Sequence, residues 1–553
     1  MKKFLTVLII SILVFAFTES ANAQLTGIKT IPGDYATIAA AVTDLNAQGV
    51  GAAGVTFNVA GGYTESITSP ILITATGTVA NPIIFQKSGA GANPVITRTD
   101  GGTLATSTLG GQGDAVIIIQ GSDYITFDRI DVSASDAGAG IEYGYYLRKA
   151  SATDGCKYVS ITNSVITMIK GTSAYVIGIY SSNNDAASLV SSSTGITVTS
   201  TGGRNEYITI TGNTVQNVHV GMFIRGFNAS SPYDFYDQNI TIGSAGAGNT
   251  IQNFGGGNSG STFGIYIFYQ NNIKVAYNEF NNTAGGGTSA IGFIYGIMFG
   301  VSQNSNIDIY ENNINLTSAG TTGTAYGISA SVSGTDNTVN IYNNTVTINY
   351  PTATSAPLFA IQGSAASYNL NIYNNTITNC QLGSGAATAT GQFSGIYISG
   401  SNTTPGSHGK VYNNTISNNS RVQSTPGAGN TYLIYNTSSG LTLDIYNNTI
   451  NNNNFTSTGT VSAIYMSNSS STVRNVYGNT ISNLTCGGTA HGIYNALGNK
   501  ANIYKNNIFN INNTSSAGVT NGITSASGIN TYIYNNFISD LKASSATADN
   551  AVI

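Results

Sequence analysis

Through the second half of the chain, apolar and polar positions alternate in short runs that return at a nearly fixed interval. The runs are Val275-Ala-Tyr-Asn-Glu-Phe280, Ile309-Tyr-Glu-Asn-Asn-Ile314, Ile341-Tyr-Asn-Asn-Thr-Val346, Ile372-Tyr-Asn-Asn-Thr-Ile377 and Val411-Tyr-Asn-Asn-Thr-Ile416. Ile445-Tyr-Asn-Asn-Thr-Ile450, Val476-Tyr-Gly-Asn-Thr-Ile481, Ile503-Tyr-Lys-Asn-Asn-Ile508 and Ile533-Tyr-Asn-Asn-Phe-Ile538 follow. The fourth position is always asparagine: Asn278, Asn312, Asn344, Asn375, Asn414, Asn448, Asn479, Asn506 and Asn536. Steps between them run from 27 to 39 residues, a period that predicts a solenoid. Each run is β-branched and aromatic until asparagine breaks it, which reads as a strand ending in a turn. Side-chain alternation points Ile445 and Ile450 inward and Tyr446 outward.

A second strand signal lies between the copies, at Gly264-Ile-Tyr266, Gly327-Ile-Ser329, Gly395-Ile-Tyr397, Gly492-Ile-Tyr494 and Gly522-Ile-Thr524. A coil of this length has room for a third strand. No helical periodicity appears in this region, so coils should stack as parallel strands at about 4.8 Å. Each asparagine then lies above the previous one. Asparagine tolerates left-handed backbone angles, and its amide can bond along the stack. An inward amide without such a partner costs about 1–3 kcal/mol, so the column is structural first.

Short strands, an asparagine ladder and inward aliphatic stacks resemble the right-handed parallel β-helix of the pectin lyase-like superfamily. More narrowly, they resemble the Gly/Ser/Thr/Asn-rich β-helix proteins that Bacteroidetes-type bacteria export to the cell surface. The resemblance implies an all-β fold: a right-handed parallel β-helix solenoid with a short N-terminal capping helix. That helix is expected over 34–47, with Asp34 capping its start, Tyr35, Ile38, Val42 and Leu45 on one face and Gly49 ending it. Tyr35-Ala-Thr-Ile38, Val55-Thr-Phe-Asn-Val59 and Gly62-Tyr-Thr-Glu65 are similar to the opening cap and first strand of pectinesterase-like β-helices. None of that family's catalytic motifs follows, so fold carries over and pectin de-esterification does not.

Residues 1–23 read as a secretory signal peptide, with Lys2 and Lys3, an apolar core from Leu5 to Phe17 and a cleavage site at Ala21-Asn22-Ala23. The core is shorter than the ~20 residues that a membrane span needs. Residues 24–60 form the N-terminal cap, 61–250 irregular and more charged coils, and 251–553 the regular asparagine-ladder coils. Strands are expected at 70–74, 82–86, 94–97, 115–119 and 124–132. The last segment, 539–553, reads as a loop leading into another strand, so the sequence is expected to be a fragment; the surface β-helices that it resembles often end in a small β-sandwich sorting domain.

Charged residues are only 8% of the chain and the net charge is −4, which argues against nucleic acid or anionic membrane as partners. Cys156, Cys380 and Cys486 read as small buried side chains. His219, His408 and His491 have no ligand spacing, so no metal site is expected and no cofactor.

Two kinds of surface residue remain. Outward tyrosines form a file of one per coil, Tyr310, Tyr342, Tyr373, Tyr412, Tyr446, Tyr477, Tyr504 and Tyr534. A shorter file follows a break: Tyr397, Tyr435, Tyr465 and Tyr494. Aromatic rings on a flat β-face can stack on sugar rings; the longer file is expected to be structural and the shorter to contact ligand. Charge concentrates in 123–237. Asp123, Asp128, Arg129 and Asp131 are the tightest cluster, with Glu142 and Arg225 as further candidates. A glycoside hydrolase needs two carboxylates roughly 5–9.5 Å apart. A lyase needs a Lys, Arg or His base, often with acidic Ca²⁺ ligands, the one case in which Ca²⁺ would enter. Threonine pairs such as Thr345-Val-Thr347 are read as too isolated for an ice-binding array. The expectation is a secreted or cell-surface β-helix, non-catalytic, that binds polysaccharide or cell-surface glycan or mediates adhesion. The alternative is a polysaccharide lyase or glycoside hydrolase with its site in 123–237. Convergence of the charged residues in one groove would favour the enzyme, and scatter the scaffold.

Overall fold

The interval between copies is the length of one coil in space. A computed structural model describes residues 24–545 except 102–107, 136–139, 171–174, 257–259, 287–289, 333, 335, 386–387, 424–425, 441, 468–472 and 498–499. Residues 1–23, expected to be a signal peptide, and the last eight residues thus lie outside the described residues. Each coil has three strands, as in Thr442–Tyr446, Thr449–Phe455 and Val461–Met466. Strands from successive coils pair in parallel into three sheets that run the length of the solenoid. Sheet 1 contains 16 strands and sheet 3 contains 14, with sheet 2 between them in chain order. Register is one-to-one: Tyr446 pairs with Tyr477, Thr449 with Thr480 and Tyr465 with Tyr494. This is the parallel β-helix architecture that the repeat predicts.

The inward positions make the core. Ile445, Ile450 and Ile464 are fully buried, each worth about 1.5–3 kcal/mol of burial. Toward the N-terminus, Phe57, Phe85 and Phe127 stack inside the first coils at 4.5 and 5.0 Å. The Gly-Ile signal has a steric cause. A Cβ on Gly264 would lie 2.5 Å from the Gly296 carbonyl and as close to the Phe280 ring. All three cysteines are buried and free.

The asparagine ladder extends one step further in chemistry than its sequence suggests. Asn448 Oδ1 accepts both the backbone N–H and Nδ2 of Asn414, while its own Nδ2 donates to Asn479 Oδ1 and to the Val411 carbonyl. The ladder starts earlier than Asn278, with Asn213 and Asn249 in the same pattern. The left-handed residue is the one before each ladder asparagine, at Asn343, Asn374, Asn413, Asn447 and Asn535 with φ near 55°. The asparagine pair therefore divides the work: one turns the chain and the next ties the coils.

The cap departs from expectation in its start. The helix spans Ile38–Gln48, and Thr37 rather than Asp34 caps it, accepting from the Ala40 N–H. Asp34 instead accepts from the Thr30 N–H and hydroxyl. Glu65 from the first coil receives the Ile38 and Ala39 N–H groups, placing a carboxylate at the positive helix end. The expected strand 124–132 is two strands, Ile125–Asp128 and Asp131–Ala134, because Arg129 takes φ 57° and turns the corner between sheets 1 and 2. Among the described residues, no helix is long and apolar enough to cross a membrane.

Candidate functional site

The charged candidates of the irregular half occupy three different corners of the coil. Asp123 stands between sheets 3 and 1, where its Oδ1 accepts the Lys157 N–H at 2.8 Å. Asp128, Arg129 and Asp131 stand between sheets 1 and 2. Asp128 pairs with Arg129 at 2.9 Å and accepts from Thr162 and Asn163. Asp131 accepts from the Val165 N–H and Asn93. Glu142 is fully buried between sheets 2 and 3, receiving the Asp114 N–H at 2.7 Å. Arg225 closes the strand Val220–Arg225, its guanidinium 5.8 Å from the Phe268 ring and 5.7 Å from Tyr269. Burial raises the Asp123 and Asp131 carboxyls above the ordinary range. Asp123, Asp131 and Glu142 each capture a backbone N–H from a neighbouring coil, which is what ladder asparagines do in the regular half. Further charge is spent in the same way: Lys149 and Asp237 form a fully buried pair at 2.9 Å, and Arg204 pairs with Glu206.

A different feature runs unbroken along the molecule. On sheet 3, the rings of Tyr146, Tyr180, Phe223 and Tyr266 succeed one another at 5.0–5.3 Å. At Phe263, 4.0 Å from Tyr266, the track steps into the adjacent outward file and continues through Tyr295, Tyr326 and Phe359. It steps back at Tyr397 and ends through Tyr435, Tyr465 and Tyr494. The four-tyrosine file thus belongs to a longer track. Its apparent break is filled by rings three residues earlier in their strands, invisible to a search at one repeat position.

The first part of this track is covered by the chain itself. Tyr143, Tyr146, Tyr180 and Phe223 are at most 1% exposed. Leu109 packs on them, while the Tyr143 and Tyr180 hydroxyls donate to the Gly111 and Gly110 carbonyls at 2.6 and 2.7 Å. Gly110 has φ 84°, and a Cβ there would meet the Phe223 ring at 2.6 Å. From Tyr266 onward the rings are half-buried, except Phe263, which is 3% exposed. Burial pushes the Tyr266, Tyr295 and Tyr326 hydroxyls up to about 12, so they remain protonated donors.

The longer tyrosine file lies on sheet 1 and is of another kind. From Tyr310 to Tyr534 neighbouring rings are 4.8–5.0 Å apart and within 7° of parallel. Their faces cover one another, leaving edges and hydroxyls outward. On sheet 3 the parallel stack breaks near its end, to 59° between Tyr435 and Tyr465 and 80° between Tyr465 and Tyr494. Sheet 2 carries a single threonine file and no recurring pair, since Thr378 is followed by Ser417, Asn451 and Ser482. Thr345, Thr376, Thr415, Thr449 and Thr480 pair in register over successive coils. A cavity of about 480 Å³ lies between the cap helix and residues 66–72, away from all of these groups.

Fold and surface together define a parallel β-helix with a lateral aromatic track. No family model matches the chain, and no curated protein does. Among solved structures it is similar to a GH136 lacto-N-biosidase from Eubacterium ramulus, at 13% identity and TM-score 0.43, over 72% of this chain and 64% of that one. The chain therefore spans less than two thirds of the length of that enzyme. An alginate lyase from Paenibacillus sp. str. FPU-7 matches at 11% identity and TM-score 0.34, over 75% of this chain and 95% of that one. The Streptococcus pneumoniae surface protein and adhesin PfbA matches at 13% identity and TM-score 0.34, over 76% and 99%. These likenesses concern the fold; they carry nothing about activity.

Proposed function

We propose that this chain is an exported, non-catalytic glycan-binding β-helix that uses the open stretch of the sheet 3 track, with Tyr397, Tyr435, Tyr465 and Tyr494 as its contact residues. The observation that carries the reading is the contrast along one track. Where the track is covered, an intramolecular segment lies on the rings, packs an aliphatic side chain and accepts tyrosine hydroxyls. Where it is open, the same ring-and-hydroxyl surface faces solvent, and a sugar offers the matching pair of an apolar CH face and oxygen acceptors. Export rests on the leader-like segment 1–23.

Against catalysis stands the scatter of Asp123, Asp128, Asp131 and Glu142 over three corners, each already holding backbone or side-chain donors of its own scaffold. Affinity electrophoresis of residues 24–553 against a polysaccharide panel, with a parallel assay for new reducing ends and unsaturated products with and without Ca²⁺, tests the reading. Binding without cleavage, lost in Tyr435→Ala with Tyr465→Ala, is expected. Shortened or unsaturated products would overturn it in favour of a lyase or hydrolase.

A further inference from the structure

The track has a property that its aromatic residues do not by themselves require. Between Thr262 and Ser525, the strands of sheet 3 contain no Asp, Glu, Lys or Arg. Among the described residues, the loops that border these strands add one charged side chain, Asp336. Sheet 1 is different: over the same coils it carries Lys274, Asp308, Lys410, Asp444 and Lys500, with Arg474 buried, while sheet 2 carries Glu279 and the buried Arg421 before its last strand. Charge is thus absent from one face and not from the solenoid as a whole. His491 is the one titratable base on the face. It is buried, bonded through Nδ1 to the Thr524 hydroxyl at 2.9 Å and stacked on Tyr494 at 4.4 Å, and burial lowers it to about 4. What the face does offer is neutral: phenol hydroxyls and the Ser329, Gln362 and Ser399 side chains, with Ser329 and Gln362 already linked at 3.0 Å.

Resting on the glycan-binding reading above, we infer that the open track takes an uncharged polysaccharide and rejects polyuronates and sulfated glycans. A polyanion loses hydration on docking and needs fixed cations to recover it; the strands of this face have none between Thr262 and Ser525, and Arg225 at the margin is spent over the Phe268 and Tyr269 rings. A neutral sugar polymer needs only CH–ring contact and hydrogen bonds to neutral donors. The contact centres on Tyr435, Tyr465 and Tyr494, where the coil-to-coil stack breaks to 59° and 80°; Tyr432 stacks on Tyr465 at 4.5 Å and His491 on Tyr494, so each ring keeps one neighbour and meets the polymer with what that neighbour leaves open. Between Phe263 and Tyr397 the rings stay stacked and serve the polymer with edges and hydroxyls.

The test is quantitative binding of the 24–553 chain to dextran, mixed-linkage β-glucan, galactomannan and xylan on one side, and polygalacturonate, alginate and a sulfated galactan on the other. Each is measured at low and high NaCl, spanning Debye lengths of about 14 to 4 Å. At least one neutral polymer should bind tenfold or more tighter than any anionic one, with affinity unchanged across the salt range. Tyr465→Ala should weaken it at least tenfold, while Thr449→Ala on sheet 2 leaves it unchanged. Preference for an anionic polymer, with affinity falling as salt rises, overturns the uncharged-ligand inference and leaves the glycan reading standing. Failure to bind every polymer in the panel overturns both.

Discussion

The sheet 3 track is one structure in two conditions. In the coils of Tyr143, Tyr146, Tyr180 and Phe223 it is sealed by residues 108–113, and its hydroxyls end on the Gly110 and Gly111 carbonyls. In the coils from Tyr266 to Tyr494 the same kind of ring, at the same spacing, is left to solvent. The rings of the first stretch form a satellite core, separate from the aliphatic interior, that reaches Phe263 and has the partly buried Tyr266 and Tyr295 at its edge. The comparison teaches that outward aromatic columns on a β-helix are not one device: they are structure where something covers them and a surface where nothing does. Mutation should separate the two. Tyr180→Ala removes a fully buried ring and one of two donors to the Gly110 carbonyl, which Asn184 Nδ2 also reaches, and should cost about 4 kcal/mol. Tyr435→Ala, half-buried, should cost about 1 kcal/mol through lost ring contact. Denaturant unfolding of both variants checks this; equal losses would mean that the open stretch is as much core as the covered one.

The comparison also requires that the scaffold beneath both stretches be equally firm. Asn213 lies in the covered half and Asn448 in the open half, and both accept and donate along the ladder. Asn213→Ala and Asn448→Ala should therefore each cost about 3 kcal/mol, since each leaves buried partners unpaired. Asn483→Ala, on an exposed rung above Asn452, should cost only about 1 kcal/mol, chiefly because alanine holds its φ of 52° less readily than asparagine. A much smaller loss for Asn448→Ala than for Asn213→Ala would locate the difference in the scaffold instead of the cover. Acid probes the open half more gently. His491 has a folded value near 4, below the ordinary 6.5. The unfolded chain therefore binds its proton first as pH falls. The stability that neutral His491 contributes is complete above pH 6.5 and is lost as pH drops toward 4, about 2 kcal/mol in all. His491→Gln should flatten that part of the pH–stability curve.

Much of this was legible in the chain itself. The Ile-Tyr-Asn-Asn-Thr-Ile run contains strand, turn and ladder together, so period, parallel stacking and the inward Ile445 follow from alternation alone. The aromatic track was half visible. Tyr397, Tyr435, Tyr465 and Tyr494 share one repeat position, but Phe263, Tyr295, Tyr326 and Phe359 sit three residues earlier in their strands. That phase difference hides continuity that three-dimensional register restores. The cover was not legible at all, because nothing local in Leu109-Gly110-Gly111 tells that it lies on rings from coils up to about 110 residues away. Nor was the duty of Asp123, Asp131 and Glu142. A carboxylate that catches one backbone N–H at a corner and a carboxylate in a cleft look the same in sequence. The threonines, by contrast, were legible: one per coil directly follows the ladder asparagine, while the second member of the pair gives way to Ser417, Asn451 and Ser482, so no array of pairs forms.

The smallest expected effect is the one that bears most directly on the comparison. Leu109→Ser removes the aliphatic contact that holds residues 108–113 against the track, while leaving the Gly110 and Gly111 carbonyls in place. The side chain is only partly buried, so the loss of global stability should be about 1 kcal/mol. Locally the change should be larger, because the segment is then held by its hydrogen bonds alone and opens more often. Tyrosine nitration followed by peptide mass spectrometry reads this residue by residue. In the parent protein Tyr143, Tyr146 and Tyr180 should resist modification while Tyr435 and Tyr465 react. In Leu109→Ser, the Tyr180 peptide should gain reactivity and the Tyr435 peptide should not change. If Tyr180 reacts as readily as Tyr435 in the parent, the cover is not closed in solution. The two stretches would then be one continuous open surface reaching from Tyr146 to Tyr494.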